Sequence, residues 1–325
     1  MKISTNEKFE KLKIGISSCL VGMKVRYNGG HLGEIFLNGV LDDYVEWVPV
    51  CPEVESGMGV PREEVRLVRK SSGLHMIGRR TNSEYTATML DWSRGKIQKI
   101  IEEDLDGFIL TAKSPSCGVF RVRVYPEEGG APSHGGTGIF ADSLLKNIPG
   151  LPVEENGRLQ DSKIRENFIE RLFILRAWRD FLASDPTPRG LINFHSVHKL
   201  TFMAHSNAYY GQLGRIVATS GSRPWDELIS QYLELMIACL KMLATTSKHA
   251  NVLYHVMGFL KRNVDHEDKS ELVETIESYR LEKVPLVVPI TLLNHHLRKN
   301  AVADWIIKQS YMSPYPSELM LRNHV

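Results

Sequence analysis

Three short apolar runs in the first 120 residues each lead into a cysteine: KIGISSC (Lys13–Cys19), VEWVPVC (Val45–Cys51) and GFILTAKSPSC (Gly107–Cys117). A strand buried on both faces reads as a nearly unbroken apolar run, as strands of parallel sheets do. A further run, FRVRVY (Phe120–Tyr125), alternates apolar and basic residues, which suits a strand with one exposed face. Between them, EYTATMLDWSRGKIQKIIEEDL (Glu84–Leu105) spaces its apolar residues as an amphipathic helix does. Strands separated by helical segments predict an α/β N-terminal domain with a mainly parallel sheet.

The pattern changes near ASDPTPRG (Ala183–Gly190), after the long helical segment ENFIERLFILRAWRDFLA (Glu166–Ala183). Beyond it, FHSVHKLTFMAHS, WDELISQYLELMIACLKMLATT and KSELVETIESYRLEKV all carry helical periodicity, so an all-α C-terminal domain is expected. The expected organisation is an α/β domain over residues 1–160, a connecting helix and linker over 161–186, and an all-helical domain over 187–325. Three histidines precede residue 187 and nine follow it. Hydrophobic content of 42% and a net charge of +2 describe an ordinary globular chain, with too little charge to demand a nucleic-acid partner and none to forbid one. No apolar stretch is long enough to span a bilayer, and MKISTNEKFEKLK lacks the apolar core of a signal peptide. The expected location is therefore cytoplasmic, with no membrane partner and the four cysteines reduced.

In open parallel sheets, loops at the carboxyl ends of strands line the ligand crevice. If the three cysteine-bearing runs are parallel neighbours, Cys19, Cys51 and Cys117 converge at one sheet edge and form an open metal or cluster site. Cys239, in the helical stretch LMIACLKML, is expected in a core. Spacing alone leaves two occupants: zinc with three protein ligands and water, or a [4Fe–4S] cluster with one iron lacking a protein ligand.

SSCLVGMKVRYNGG (Ser17–Gly30), VPVCPEVESGMGVPR (Val48–Arg62) and AKSPSCG (Ala112–Gly118) resemble, in order and spacing, the motifs of the thiouracil desulfidase family. The likeness covers roughly residues 11–150. The remainder resembles the helical domain often fused behind it, through FHSVHKLTFMAHS, the run His249–Lys261 and PLVVPITLLNHHLR. Fused forms look like tRNA 4-thiouridine desulfidases. The resemblance implies that Cys19, Cys51 and Cys117 hold a [4Fe–4S] cluster, and that thiocarbonyl sulfur is removed as sulfide without redox change, giving uridine. It also assigns catalytic roles to Glu53 and Ser114. Arg26, Tyr27, Asn28, Arg62, Lys113 and Ser116 are candidates to hold the base or a phosphate, and Ser116 also to donate to a cluster sulfur. The glycine-rich GGTGIFADSLL (Gly135–Leu145) leads into a helix whose amides are a weaker phosphate candidate.

In the helical domain, His195, His198 and His205 are a possible metal set. Tyr209, Tyr210 and Trp225, with the patches His195–Lys199, Lys261–Arg262 and His295–Lys299, are candidates for contact with tRNA. From residue 187 on, basic residues outnumber acidic ones by only 15 to 12. The expected substrate is tRNA or a thiolated uracil nucleotide. The competing expectations are a desulfidase of free thiouracil, a non-catalytic iron–sulfur RNA-binding or sensor protein, and a zinc hydrolase.

Overall fold

The computed structural model describes residues 11–33, 39, 41–260, 264–300 and 302–325. The Lys261–Arg262 patch and the first ten residues lie outside them. The chain divides into two units, residues 1–160 and 161–325.

The first unit contains two four-stranded sheets. The cysteine-bearing runs are β1 (Leu12–Ser17), β2 (Val45–Val50) and, later in the chain, β5 (Gly107–Leu110). Before β5 come β3 (Val65–Lys70), β4 (Gly73–Gly78) and helix α1 (Thr86–Glu102). After it come β6 (Val122–Pro126), β7 (Ser133–Gly136), α2 (Ile139–Asn147) and β8 (Val153–Glu155). The first sheet has the order β2-β1-β5-β8 and is wholly parallel. Ser17 of β1 pairs with Val50 of β2, and Ile16 with Ile109 of β5. All three cysteine-bearing segments therefore leave the sheet at the same edge.

The second sheet, β4-β3-β6-β7, is mixed: β3 pairs in parallel with β6 and antiparallel with β4, and β6 pairs antiparallel with β7. Val122–Tyr125 of the FRVRVY run fall in β6, outside the parallel sheet, while Phe120 and Arg121 precede the strand. Both sheets feed one core, in which Phe108 and Leu110 of the first and Leu67, Met76 and Val124 of the second pack with Met89, Ile97, Phe140 and Leu144 of the helices. Phe108 and Phe140 meet edge to face at 5.9 Å.

The second unit is helical: α3 (Ser162–Ser184), α4 (Pro188–His205), α5 (Asn207–Ala218), α6 (Trp225–Leu240), α7 (Thr246–Gly258), α8 (His266–Arg280), α9 (Val287–Lys299) and a short α10 (Asp304–Ile307). The starts follow side-chain capping: Asp161, Thr187, Ser206, Thr245 and Asp265 each accept from an amide of the first helical turn. Segment 161–186, expected as a connector, is built into this unit. Trp178 of α3 stacks on Tyr232 at 5.2 Å and meets Phe194 edge-on at 5.2 Å. Cys239 is buried in the same cluster. Among the described residues no helix is long and apolar enough to cross a membrane.

A buried charged knot ties the end of the unit to α3. Arg322 reaches Glu166 (3.2 Å) and Glu170 (3.5 Å), Tyr315 donates to Glu166 (2.9 Å), and His205 Nε2 bonds Glu170 (2.8 Å). Burial would lower the pKa of His205, but the hydrogen bond and charge of Glu170 outweigh it and raise it. His195 and His198 have no such carboxylate bond, and burial pulls both down to about 4. Their unfolded forms take up protons near pH 6.5 that the folded forms refuse until about pH 4. Their contribution to stability is therefore complete above pH 6.5 and lost as pH falls toward 4, to roughly 3 kcal/mol for each at the low end. His205 acts oppositely: its contribution is complete below 6.5 and lost as pH rises through its folded value. On acidification below pH 6.5, peptides from α4 and α6 should therefore lose hydrogen-exchange protection. After correction for intrinsic rates, the loss between pH 6.5 and 5 should be roughly tenfold or more.

Candidate active site

Cys19, Cys51 and Cys117 line one cavity of about 320 Å³ at the carboxyl edge of the parallel sheet. Cys19 sits in a single turn after β1, with its Sγ 3.1 Å from Thr111 Oγ1 at the end of β5. Cys51 directly follows β2, its amide donating to Glu55 and its Sγ 4.0 Å from the Val25 carbonyl. Cys117 is buried in the loop after β5. Ser17, the last residue of β1, ties these ends together, accepting from the Thr111 amide at 3.0 Å and hydrogen-bonding Cys117.

The Cys117 loop is held by its own turn and by α2. Ser114 Oγ accepts from the amides of Ser116 (3.2 Å) and Cys117 (3.1 Å). The amides of residues 138–141 donate to the carbonyls of Gly118, Pro115 and Ser116. The glycine-rich approach to α2 thus spends its amides on the loop and presents none of these four to a phosphate. Gly138 permits the contact, since a Cβ there would stand 2.5 Å from the Ser116 carbonyl. Glu155, at the end of β8, accepts from the amides of Val119 (2.6 Å) and Phe120 (2.9 Å).

Glu53 is the acidic centre of the wall. Its Oε2 receives Nε (2.8 Å) and Nη2 of Arg62, and its Oε1 receives the Ser116 hydroxyl at 2.7 Å. The Arg62 side chain is only 6% exposed, and its Nη1 donates to the carbonyls of Val25 and Gly59, both at 2.9 Å. Arg62 is committed to holding Glu53 and the surrounding loops, and Ser116 to orienting Glu53. Ser114 has both acceptor positions used by amides, which leaves its own proton for a group in the cavity. Arg26 and Tyr27 line the cavity, the Tyr27 hydroxyl bonded to Glu64, whose hydrogen bond and charge raise its pKa. Lys113 lines it too, exposed and in the left-handed region at φ +62°. Asn28 is turned to its own loop, its Oδ1 accepting from Gly30, and is not on the cavity wall. Ser17, Thr111, Glu64 and Glu155 escaped the sequence reading. Only Thr111 carried a signal, as the first residue past the GFIL run.

Burial raises the pKa of all three thiols, most strongly at Cys117, where the charge of Glu53 adds to it. Thiols in such surroundings need a cation to become thiolates. Among the described residues the three sulfurs do not gather within 4.8 Å of one another. Two thiolates on one tetrahedral zinc stand about 3.8 Å apart. A polynuclear centre spreads its ligands wider, so the donor set fits a [4Fe–4S] cluster better than a single ion.

Among the described residues His195, His198 and His205 do not gather as a donor set. His195 bonds the Tyr232 hydroxyl (2.9 Å), and His205 is taken by Glu170 and the Met242 carbonyl. Tyr209, Tyr210 and Trp225 pack against a hydrophobic core, and Lys199 lies 3.6 Å from the Trp305 ring centroid. In the patch His295–Lys299, His295, Arg298 and Lys299 are exposed.

Residues 14–156 match the model of the 2-thiouracil desulfurase family, and residues 199–316 match DUF1722, a domain of unknown function. Residues 14–156 are thus similar to the 2-thiouracil desulfurase family. The chain is also 31% identical over 156 residues to the uncharacterized protein YbgA of Escherichia coli (strain K12), covering 47% of this chain and 90% of that protein. It is 28% identical over 108 residues to the uncharacterized protein YbbK of Bacillus subtilis (strain 168), covering 32% of this chain and 71% of that one. A solved structure, the [4Fe-4S]-dependent thiouracil desulfidase TudS, aligns with a TM-score of 0.38 at 25% identity, over 46% of this chain and 94% of that one.

Because α2 grips the cysteine loop through its backbone, crowding that contact should disturb the site. Gly138→Ala is expected to cost about 1–3 kcal/mol, read by urea unfolding, and to lower the iron retained per chain after anaerobic loading.

Proposed function

We propose that this chain is an iron–sulfur-dependent desulfidase of thiolated uracil, with 4-thiouridine in tRNA as its substrate. The observation that carries the reading is the joining of three thiols, one buried and two half-buried, and one doubly held carboxylate in a single cavity. Cys19, Cys51 and Cys117 would hold the [4Fe–4S] cluster. When bound, the cluster would offer an iron without a protein ligand, a soft acceptor for the thiocarbonyl sulfur.

The net reaction replaces a C–S bond by a C–O bond: water supplies the oxygen, sulfide leaves, and no electrons are gained or lost. Glu53 is the proton acceptor for the attacking water and returns the proton to the departing sulfur. Arg62 holds one carboxylate oxygen and Ser116 the other, which fixes the orientation of the group in the cavity wall. Ser114 donates its free proton to the uracil ring. Arg26 and Lys113 give the cavity wall two cations suited to a nucleotide phosphate. The exposed His295, Arg298 and Lys299 support a role for the second domain in holding the RNA.

One observation favours a second substrate, the free base: every residue of the cavity comes from the first unit, which matches a family named for 2-thiouracil. The two readings separate in one experiment. Protein loaded with iron and sulfide without oxygen is incubated with tRNA containing 4-thiouridine and, in parallel, with 2- and 4-thiouracil. Thiocarbonyl absorbance and released sulfide are followed, with Cys117→Ala as control. Cluster-dependent loss from tRNA is expected. Loss from the free bases alone would reassign the substrate, and no loss from either with an intact cluster would end the desulfidase reading. Glu53→Gln should keep the cluster and lose roughly 10²–10⁴-fold in turnover.

A further inference from the structure

Helices α8 and α9 are joined by the short 281–286 connection and share a core through Leu272, Ile276, Leu293 and Leu297. Short connections make neighbouring helices antiparallel, so the first turns of α8 lie beside the last turn of α9. Asp268 and Glu271, three residues apart on α8, meet His296 of α9 there. One ligand atom from each lies within 4.8 Å of the others, and among the described residues this is the single trio of histidine, cysteine or acidic side chains that gathers so closely.

The arrangement is odd for a plain surface cluster. His296 is 3% exposed, yet its Nδ1 makes no hydrogen bond. That nitrogen points at Asp268 Oδ2 across 3.7 Å, which is too long for a hydrogen bond. Asp268 is half-buried and Glu271 is exposed, and neither is paired with a lysine or arginine among the described residues. His295 brings only a ring edge to His296, at 5.4 Å. A buried nitrogen without a partner, beside two carboxylates with no counter-charge among the described residues, lacks one thing that a cation would supply.

We infer that Asp268, Glu271 and His296 bind a divalent cation of the zinc class. One imidazole and two carboxylates are a donor set such ions accept, with a fourth position left to water. Two ligands of a tetrahedral zinc stand about 3.4 Å apart, so the Asp268–His296 pair at 3.7 Å requires a shift of a few tenths of an ångström, and Glu271, within 4.8 Å of both, one of at most about 1.4 Å. The ion fastens the start of α8 to the end of α9. The site owes nothing to the cysteine cavity and stands whether or not the desulfidase reading does.

Cobalt(II) titration of the metal-free full-length chain tests it. Thiolate-bound cobalt gives intense near-ultraviolet bands, whereas an oxygen and nitrogen site gives only weak visible ones. Subtracting the titration of Glu271→Gln from that of the wild type cancels the cysteine contribution. One equivalent of visible-band cobalt, displaced by zinc, is expected, with affinity lowered roughly tenfold or more in Glu271→Gln and in His296→Gln. Because Glu271 is exposed, its replacement leaves the fold intact should His296→Gln fail to fold. Equal visible-band binding in the wild type and Glu271→Gln, at one equivalent or at none, would overturn the proposal.

Discussion

The parallel pairing of β1 with β2 on one side and β5 on the other is the constraint on which the first unit depends. Backbone ladders in a parallel sheet bring strand ends out at one edge whatever the separation in sequence. Cys19 and Cys117 are nearly a hundred positions apart, yet Ser17 connects the two strand ends with bonds from one hydroxyl. The strands set where the sulfurs lie. Helix α2 then fixes the last loop by giving it amides that would otherwise open the helix without partners.

A second constraint is the half-buried carboxylate of Glu53. Such a charge persists away from water only when paired and hydrogen-bonded. Arg62 and Ser116 provide this, and Arg62 also grips the Val25 carbonyl. The three motifs are thus one object. RYNGG, CPE with its following arginine, and SPSCG are joined through Arg62, Glu53 and Ser116, and breaking any join disturbs the others.

Much of this was legible in the chain. Apolar runs ending in cysteine predicted β1, β2 and β5 and their common edge; in β1 and β5 burial on both faces erases alternation. The second sheet was only partly legible. VRLVRK and GLHMIG are short and mixed, and β7, SHGG, has no apolar signal, being held by its pairing with β6. The fork between Arg62 and Glu53 was hidden because contact across a loop leaves no periodic trace. Arg62 therefore read as a ligand for substrate when its guanidinium is occupied by protein. The partners of the candidate set His195, His198 and His205 were hidden for a related reason. Tyr232 and Glu170 satisfy His195 and His205 from positions 37 and 35 residues away, while His198 packs its ring 4.5 Å from that of Phe194.

The knot of Glu166, Glu170 and Arg322 bears on how the chain is made. The arginine follows its carboxylate partners by 156 and 152 positions, roughly ten to thirty seconds of synthesis at ordinary rates. Every strand of the first unit has been made before Arg322 is added, so that unit can fold while the ribosome is still working. The helical unit must wait with two carboxylates facing its forming interior. For that interval α3 is a tethered, half-finished surface, and the order of synthesis itself makes the cysteine-bearing unit the elder of the two.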